Sequence, residues 1–180
     1  MIRIILLLIC PILVFSQTFM AKVIRVVDGD SVNVLRLPDK EELKLRLYGI
    51  DAPEWKQAYG KESKVALKEL LGPNTEISVK VLDKDRYGRL ICELFLDNKD
   101  ISVNEWMVSE GNAWHYLKYA PDDLNLQQAE DNARNNKLGL WSTIDQTPPW
   151  EYRKNQKAKK NDSKFIDTLY RYLKFILEKF

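Results

Sequence analysis

Glu42-Leu43-Lys44-Leu45-Arg46-Leu47-Tyr48 runs directly into Gly49-Ile50-Asp51-Ala52-Pro53-Glu54. The alternation in the first seven residues reads as a β-strand, because successive side chains of an extended chain point to opposite faces. Leu43, Leu45 and Leu47 share one face, and Lys44, Arg46 and Tyr48 share the other. Arg46 therefore turns away from the leucine core. Two carboxylates, Asp51 and Glu54, follow just beyond it across a turn that Pro53 stiffens.

Working outward, Lys22 to Val27 and Val32 to Leu37 alternate around Asp28-Gly29-Asp30-Ser31, which predicts a hairpin. Downstream, Tyr59 to Leu71 carries Val65, Leu67, Leu70 and Leu71 at helical spacing and stops at Gly72-Pro73. Ile77, Val79 and Val81 make a fourth strand, Asp85-Arg86-Tyr87-Gly88 a turn, and Arg89 to Leu96 a fifth strand. Helices are then expected from Ser102 to Glu110 and from Asp122 to Lys137, with Trp106, Leu140 and Trp141 in the core. Five strands with a helix after the third, followed by helices, predict an α+β fold. The expected form is a small, partly open, five-stranded β-barrel of the oligonucleotide-binding type with about three α-helices.

The chain of 180 residues is long enough for one domain with a proper core. Residues 1–16 read as an export signal: Arg3 supplies a positive start, Ile4 to Phe15 an apolar run, and Ser16 a small residue before Gln17. The run falls well below the ~20 residues of a spanning helix. Cleavage after Ser16 leaves Cys92 as the one thiol, so the fold stands on its core without a disulfide. Pro148-Pro149 marks the end of a globular unit at residues 17–150, residues 151–164 read as a mobile basic linker, and residues 165–180 as an amphipathic helix. In that helix Phe165, Ile166, Leu169, Tyr170, Leu173, Ile176, Leu177 and Phe180 fall within an arc of roughly 140°. Such a face docks on its own domain, on a partner or on a membrane surface.

His115 is the one histidine of the sequence. That excludes a protein zinc site of the usual Cys/His kind, Ser-His-Asp and Cys-His triads, and chemistry that needs a histidine pair. Carboxylates and arginines remain, and His115 itself reads as structural. Each acidic cluster is ordinary alone: Asp28-Gly29-Asp30 suits a hairpin turn, Asp51-Ala52-Pro53-Glu54 a proline turn, and Asp85-Arg86-Tyr87-Gly88-Arg89 a polar turn.

Their order and spacing are not ordinary. Over roughly Lys22 to Trp150 the sequence resembles the thermonuclease, or staphylococcal-nuclease-like, family. The matching elements are Val27-Asp28-Gly29-Asp30-Ser31-Val32, Leu45-Arg46-Leu47, Gly49-Ile50-Asp51-Ala52-Pro53-Glu54, Asp85-Arg86-Tyr87-Gly88-Arg89, Val103-Asn104, Gly111, Ala113-Trp114, Tyr119-Ala120-Pro121 and Gly139-Leu140-Trp141-Ser142. The resemblance implies a secreted, calcium-dependent nuclease that hydrolyses DNA or RNA to 3′-phosphate and 5′-hydroxyl ends. It implies Asp30, Asp51 and the main-chain carbonyl of Ala52 as calcium ligands, Glu54 as acceptor or positioner of the attacking water's proton, and Arg46 and Arg89 on the phosphate oxygens. Arg86 and Tyr87 match positions that contact a terminal phosphate, and Tyr119 matches a tyrosine beside the nucleotide, where core packing is an equal alternative.

Two rival readings come from other classes. A non-catalytic nucleic-acid-binding barrel would lack some of Asp30, Arg46, Asp51, Glu54 and Arg89, and all five are present. A magnesium nuclease of the restriction-endonuclease type would place Glu62-Ser63-Lys64 on a strand, and here that triplet lies in a helical pattern. The formal net charge of +2 is unevenly spread, with nine Lys/Arg against four Asp/Glu in residues 151–180 and a net acidic remainder. For a nuclease, the basic tail, including Arg153, Lys154, Lys157, Lys159 and Lys160, reads as a loose hold on phosphates.

Overall fold

A computed structural model describes residues 17–37, 39–97 and 99–177. The expected export signal at 1–16, Cys10 within it, and Glu178, Lys179 and Phe180 lie outside the described residues, as do the side chains of Leu173, Ile176 and Leu177. Five strands close into a barrel: β1 (Thr18–Asp28), β2 (Ser31–Arg36), β3 (Glu42–Leu47), β5 (Glu76–Lys84) and β6 (Leu90–Phe95), in the order β1-β2-β3-β6-β5. β1 closes the ring by pairing antiparallel with β5 from Thr18↔Lys80 to Lys22↔Glu76. Full closure, where the sequence predicts a partly open barrel, follows from the length of β1: it begins ahead of the expected Lys22 and thereby reaches β5. The alternation read from sequence fills the interior, with Val23, Val32, Val34, Leu45, Leu47, Ile77, Val79 and Leu94 buried.

Helix α1 (Gly60–Leu70) carries Leu67 into the core and Leu71 follows it, whereas Val65 is exposed. Residues 65 and 67 are about 200° apart on a helix, so they cannot share a face. Helix α2 (Val103–Ser109) starts at Ser102, whose hydroxyl accepts from the Glu105 N–H, and α3 (Leu124–Asn135) starts at Asp123, whose carboxylate accepts from the Leu126 N–H. Leu140 and Trp141 are buried and Trp106 packs against the core, as read from sequence. A small second sheet joins β4 (Ile50–Asp51) to β7 (Trp114–His115), pairing Asp51 with Trp114.

From Pro149 to Leu177 the chain is a single helix, α4, where a mobile linker and a shorter helix were expected. The two prolines were read as a stop, but Pro149 occupies the first helical position. There its missing N–H costs no hydrogen bond and its fixed φ suits the helix. The start of α4 is held by aromatic packing: Trp150 stacks on Tyr116 at 4.8 Å and meets Trp114 edge-on at 5.7 Å. Farther along, Phe165, Ile166, Leu169 and Tyr170 are exposed, so the domain leaves that face uncovered. No helix among the described residues is long and apolar enough to cross a membrane.

The barrel has one mixed seam. β3 runs parallel to β6, pairing Leu45 with Leu90 and Leu47 with Cys92, while the other barrel pairs run antiparallel. Where the seam ends, buried Asn104 on α2 donates to the Tyr48 carbonyl at 2.9 Å and the Cys92 carbonyl at 3.1 Å, and accepts from the Leu94 N–H at 3.1 Å. One side chain thus ties the end of β3, strand β6 and α2 together. Asn104→Ala should lower unfolding free energy by about 2–3 kcal/mol, since buried groups lose their partners. Urea denaturation against wild type measures it.

Candidate active site

Three backbone turns converge at one end of the barrel. The β1–β2 turn presents Asp30, β3 presents Arg46 opposite Ser31, and the turn after β4 presents Ala52 to Glu54. Asp30 is buried and accepts from the Ala52 N–H at 2.8 Å, from the Ser31 hydroxyl at 3.1 Å and from Nη1 of Arg46. Asp51 is completely buried, and its Oδ1 accepts from Nη2 of Arg46 at 2.7 Å. Arg46 therefore bridges the two carboxylates from the face of β3 that turns away from the leucines.

Glu54 is placed by its turn. Its N–H donates to Oε1 of buried Gln57 at 3.1 Å, its carbonyl accepts from the Gln57 N–H at 2.8 Å, and Gln57 Nε2 reaches the Thr147 carbonyl at 2.5 Å. Gly60 completes the fit, because a Cβ there would fall 1.9 Å from the Glu54 carbonyl oxygen. The turn is thus clamped between α1 and the segment that leads into α4.

Sequence reasoning missed Arg153 as a member of this cluster. From the second turn of α4 its Nη2 donates to Asp51 Oδ2 at 2.7 Å, and its Nη1 donates to Asp51 Oδ1 at 3.2 Å and Glu54 Oε1 at 2.8 Å. Its position follows from Trp150, one helical turn earlier on the same face. The available signal was proline at a helix start, which makes residues 149–153 the beginning of a helix instead of a linker.

Of the remaining predicted residues, Arg86, Tyr87 and Tyr119 share a cleft with Arg46, and Arg89 is not among the residues that line it. Arg46 also lines a cleft of about 660 Å³ together with Arg86, Tyr87, Tyr116, Lys118 and Tyr119. Tyr119 is 61% exposed there, which removes the core-packing alternative. Arg86 donates to the Tyr87 hydroxyl at 2.7 Å. Arg89 is turned instead to Asp85, with Nε on Oδ2 at 2.7 Å. Burial works to raise the Asp85 pKa and is the largest influence, but hydrogen bonds from Arg89 and from the Arg89 and Tyr87 N–H groups outweigh it and hold the carboxyl low. His115 is buried with Nε2 2.7 Å from the Ala120 carbonyl, a structural role. Glu62-Ser63-Lys64 lies within α1, which disposes of the restriction-endonuclease reading.

Electrostatically, the cluster is short of positive charge. Burial pushes the Asp30 carboxyl up to about 8, Arg46 opposes that rise, and Asp28 and Asp51 add to it. Burial also works to lower the Arg46 pKa, yet the charges of Asp30 and Asp51 overcome it and the pKa is raised. Among the described residues no three His, Cys, Asp or Glu side chains are gathered to hold a metal. The donor set is two carboxylates and the Ala52 carbonyl, all hard oxygens, and water completes such a shell for calcium. Asp30 and Asp51 share one enclosed guanidinium, Arg46, and the second, Arg153, comes from a half-exposed side chain and reaches only Asp51 of the two, so the pair of hard-oxygen donors fits a cation.

Comparison with known proteins shows that the chain is similar to nucleases. The family model described as staphylococcal nuclease homologue matches residues 44–143. The chain is 39% identical over 132 residues to an uncharacterized endonuclease of Escherichia coli O157:H7, covering 73% of this chain and 83% of the other. It is 34% identical over 151 residues to a micrococcal nuclease of Shigella flexneri, covering 79% and 85%. To the staphylococcal-like nuclease CAN1 of Arabidopsis thaliana it is 34% identical over 142 residues, 79% of this chain and 42% of that one.

The raised Asp30 pKa fixes the sign of a test on Arg46. In the fold, Asp30 holds its proton to higher pH than in the unfolded chain, so its contribution to stability is lost as pH rises from about 4 toward 8. Arg46 limits that loss. Arg46→Met should therefore cost about 3 kcal/mol at pH 9, where Asp30 is ionised, and clearly less at pH 6, where it takes up a proton. Urea unfolding in chelator at both pH values reads the difference.

Proposed function

The chain belongs to the staphylococcal nuclease family and is a nucleic-acid hydrolase, and from that premise we propose that it is an exported, calcium-dependent phosphodiesterase acting on DNA or RNA. The observation that carries this reading is the gathering of Asp30, Arg46, Asp51 and Glu54 at one barrel end beside a cleft lined by Arg86, Tyr87 and Tyr119. Export rests on the sequence of residues 1–16 alone.

In this reading Asp30, Asp51 and the Ala52 carbonyl hold the calcium ion. When bound, the ion supplies a concentrated positive charge next to the scissile phosphate. Glu54, partly exposed and with its backbone fixed by Gln57, would orient a water and accept its proton once Arg153 has left its Oε1. Arg46 already stands between the carboxylates and the cleft, where its planar fork meets two phosphate oxygens as charge builds on them. Arg89 reaches the phosphate by exchanging its Asp85 contact for the substrate. Arg86, Tyr87 and Tyr119 form the cleft wall, where a terminal phosphate and a base find a cation and exposed rings. Products then carry a 3′-phosphate and a 5′-hydroxyl. The exposed lysines of α4, Lys154, Lys157, Lys159 and Lys160, give a net acidic domain an approach to a polyanion.

Digestion of plasmid, single-stranded DNA and RNA with calcium or with chelator, followed by end-group analysis, tests the whole reading. Cleavage unaffected by chelator would sink calcium dependence. Glu54→Gln and Arg89→Ala should each lower turnover at least ~10²-fold with the fold intact, since each removes a transition-state contact. Near-normal rates in folded protein would remove both from the mechanism. Asp30→Ala and Asp51→Ala should instead raise the calcium concentration needed for half-maximal rate; unchanged titration midpoints in both would move the metal elsewhere.

A further inference from the structure

Asp51 is enclosed by protein, and its two oxygens are engaged by two guanidinium groups with very different freedom. Arg46 rises from the middle of the barrel and is fixed between Asp30 and Asp51. Arg153 comes from the second turn of α4, its side chain 43% exposed, with the helix beyond it exposed through residue 171. It spans Asp51 and Glu54, with Nη2 on Asp51 Oδ2 at 2.7 Å and Nη1 on Glu54 Oε1 at 2.8 Å. Asp51 Oδ2 is the oxygen that Arg46 does not touch.

We propose that Arg153 is a built-in competitor for the cation site, occupying the space between Asp51 and Glu54 until a divalent ion displaces it. The inference rests on the calcium reading above. An ion coordinated by Asp51 sits about 2.3–2.6 Å from its oxygen. A guanidinium nitrogen 2.7 Å from that same carboxylate would then lie within a few ångströms of a doubly charged ion in a largely dehydrated place, and the two positive charges exclude each other. Arg46 cannot give way without leaving Asp30, whereas Arg153 has solvent beside it. Its departure also frees Glu54 Oε1, the oxygen needed for the attacking water. Metal binding therefore does two things at once: it clears the proton acceptor and removes a polar tether between α4 and the barrel. Other ties of α4 include the Trp150 ring on Tyr116 and Trp114 and the Tyr152 hydroxyl, which donates to the Lys56 carbonyl at 3.2 Å.

The test is direct calcium binding by titration calorimetry on the full chain without substrate, comparing wild type, Arg153→Ala, Arg153→Gln and Arg153→Lys. Arg153→Ala and Arg153→Gln should bind calcium at least ~10-fold more tightly, since the competitor is gone. Arg153→Lys, which keeps the charge and loses the fork, should fall between them and wild type. Hydrogen exchange gives a second readout: calcium should raise exchange of the amides of residues 153–158 in wild type and leave Arg153→Ala unchanged. Equal calcium affinities in wild type and both neutral variants would overturn the role of Arg153 while leaving the metal reading intact. Absence of calcium binding in every variant would overturn both. Weaker binding in the neutral variants would also overturn it, making Arg153 a support of the site instead of a rival.

Discussion

Two carboxylates buried side by side set the terms for this end of the barrel. Asp30 and Asp51 belong to different turns, and neither could stay ionised away from water without a cation between them. Arg46 reaches both, with Arg153 on Asp51 besides, and the pleat of β3 is what makes it possible: the leucines on one face fill the barrel while the alternate residue is carried to the rim. The hydrogen bond from the Ala52 N–H to Asp30 then fastens the first hairpin to the β4 turn. A substitution that shifted β3 by one residue would bury the arginine in the core and leave both acids uncompensated.

The C-terminal segment takes part in the site in a way that a boundary at Trp150 would obscure. Gln57 links the Glu54 turn to Thr147, the Trp150 ring stacks on Tyr116, and Arg153 reaches back to the carboxylates. These contacts come from three consecutive pieces of chain at the start of α4. The domain and its helix therefore share one polar network. The helix is anchored where it leaves the barrel and exposed beyond, a lever whose short arm rests on Asp51 and Glu54.

The strand pattern was legible because alternation in β2, β3 and β6 leaves little choice of face, and caps such as Ser102 and Asp123 mark helix starts locally. The cluster of Asp30, Arg46, Asp51 and Glu54 was legible through the family resemblance that the order of its motifs carries, each motif alone being an ordinary turn. Barrel closure was not, since it depends on how far β1 extends before Lys22 and no periodicity reports which strand it will meet. Arg153 was illegible for a related reason. Its contacts to Asp51 and Glu54 span some hundred residues and depend on the packing of Trp150. The proline pair could have signalled a helix start, yet the same dipeptide also ends domains, and composition alone favours a loop. Arg89 shows the opposite case, where the residue was found but its resting partner, Asp85, is a local contact that motif matching does not weigh.

Cys92 lies wholly inside the barrel on β6, and burial pushes its thiol up to about 12. Thiolate is the reactive form, so in the folded state this sulfur is closed to alkylating reagents, oxidants and mixed disulfides alike. Among the described residues Cys92 is the one cysteine, so the packing of the barrel does not depend on the redox state of its surroundings. The same burial turns the residue into a natural clock: its labelling rate counts excursions in which the barrel seam between β3 and β6 comes apart, and it needs no engineered probe.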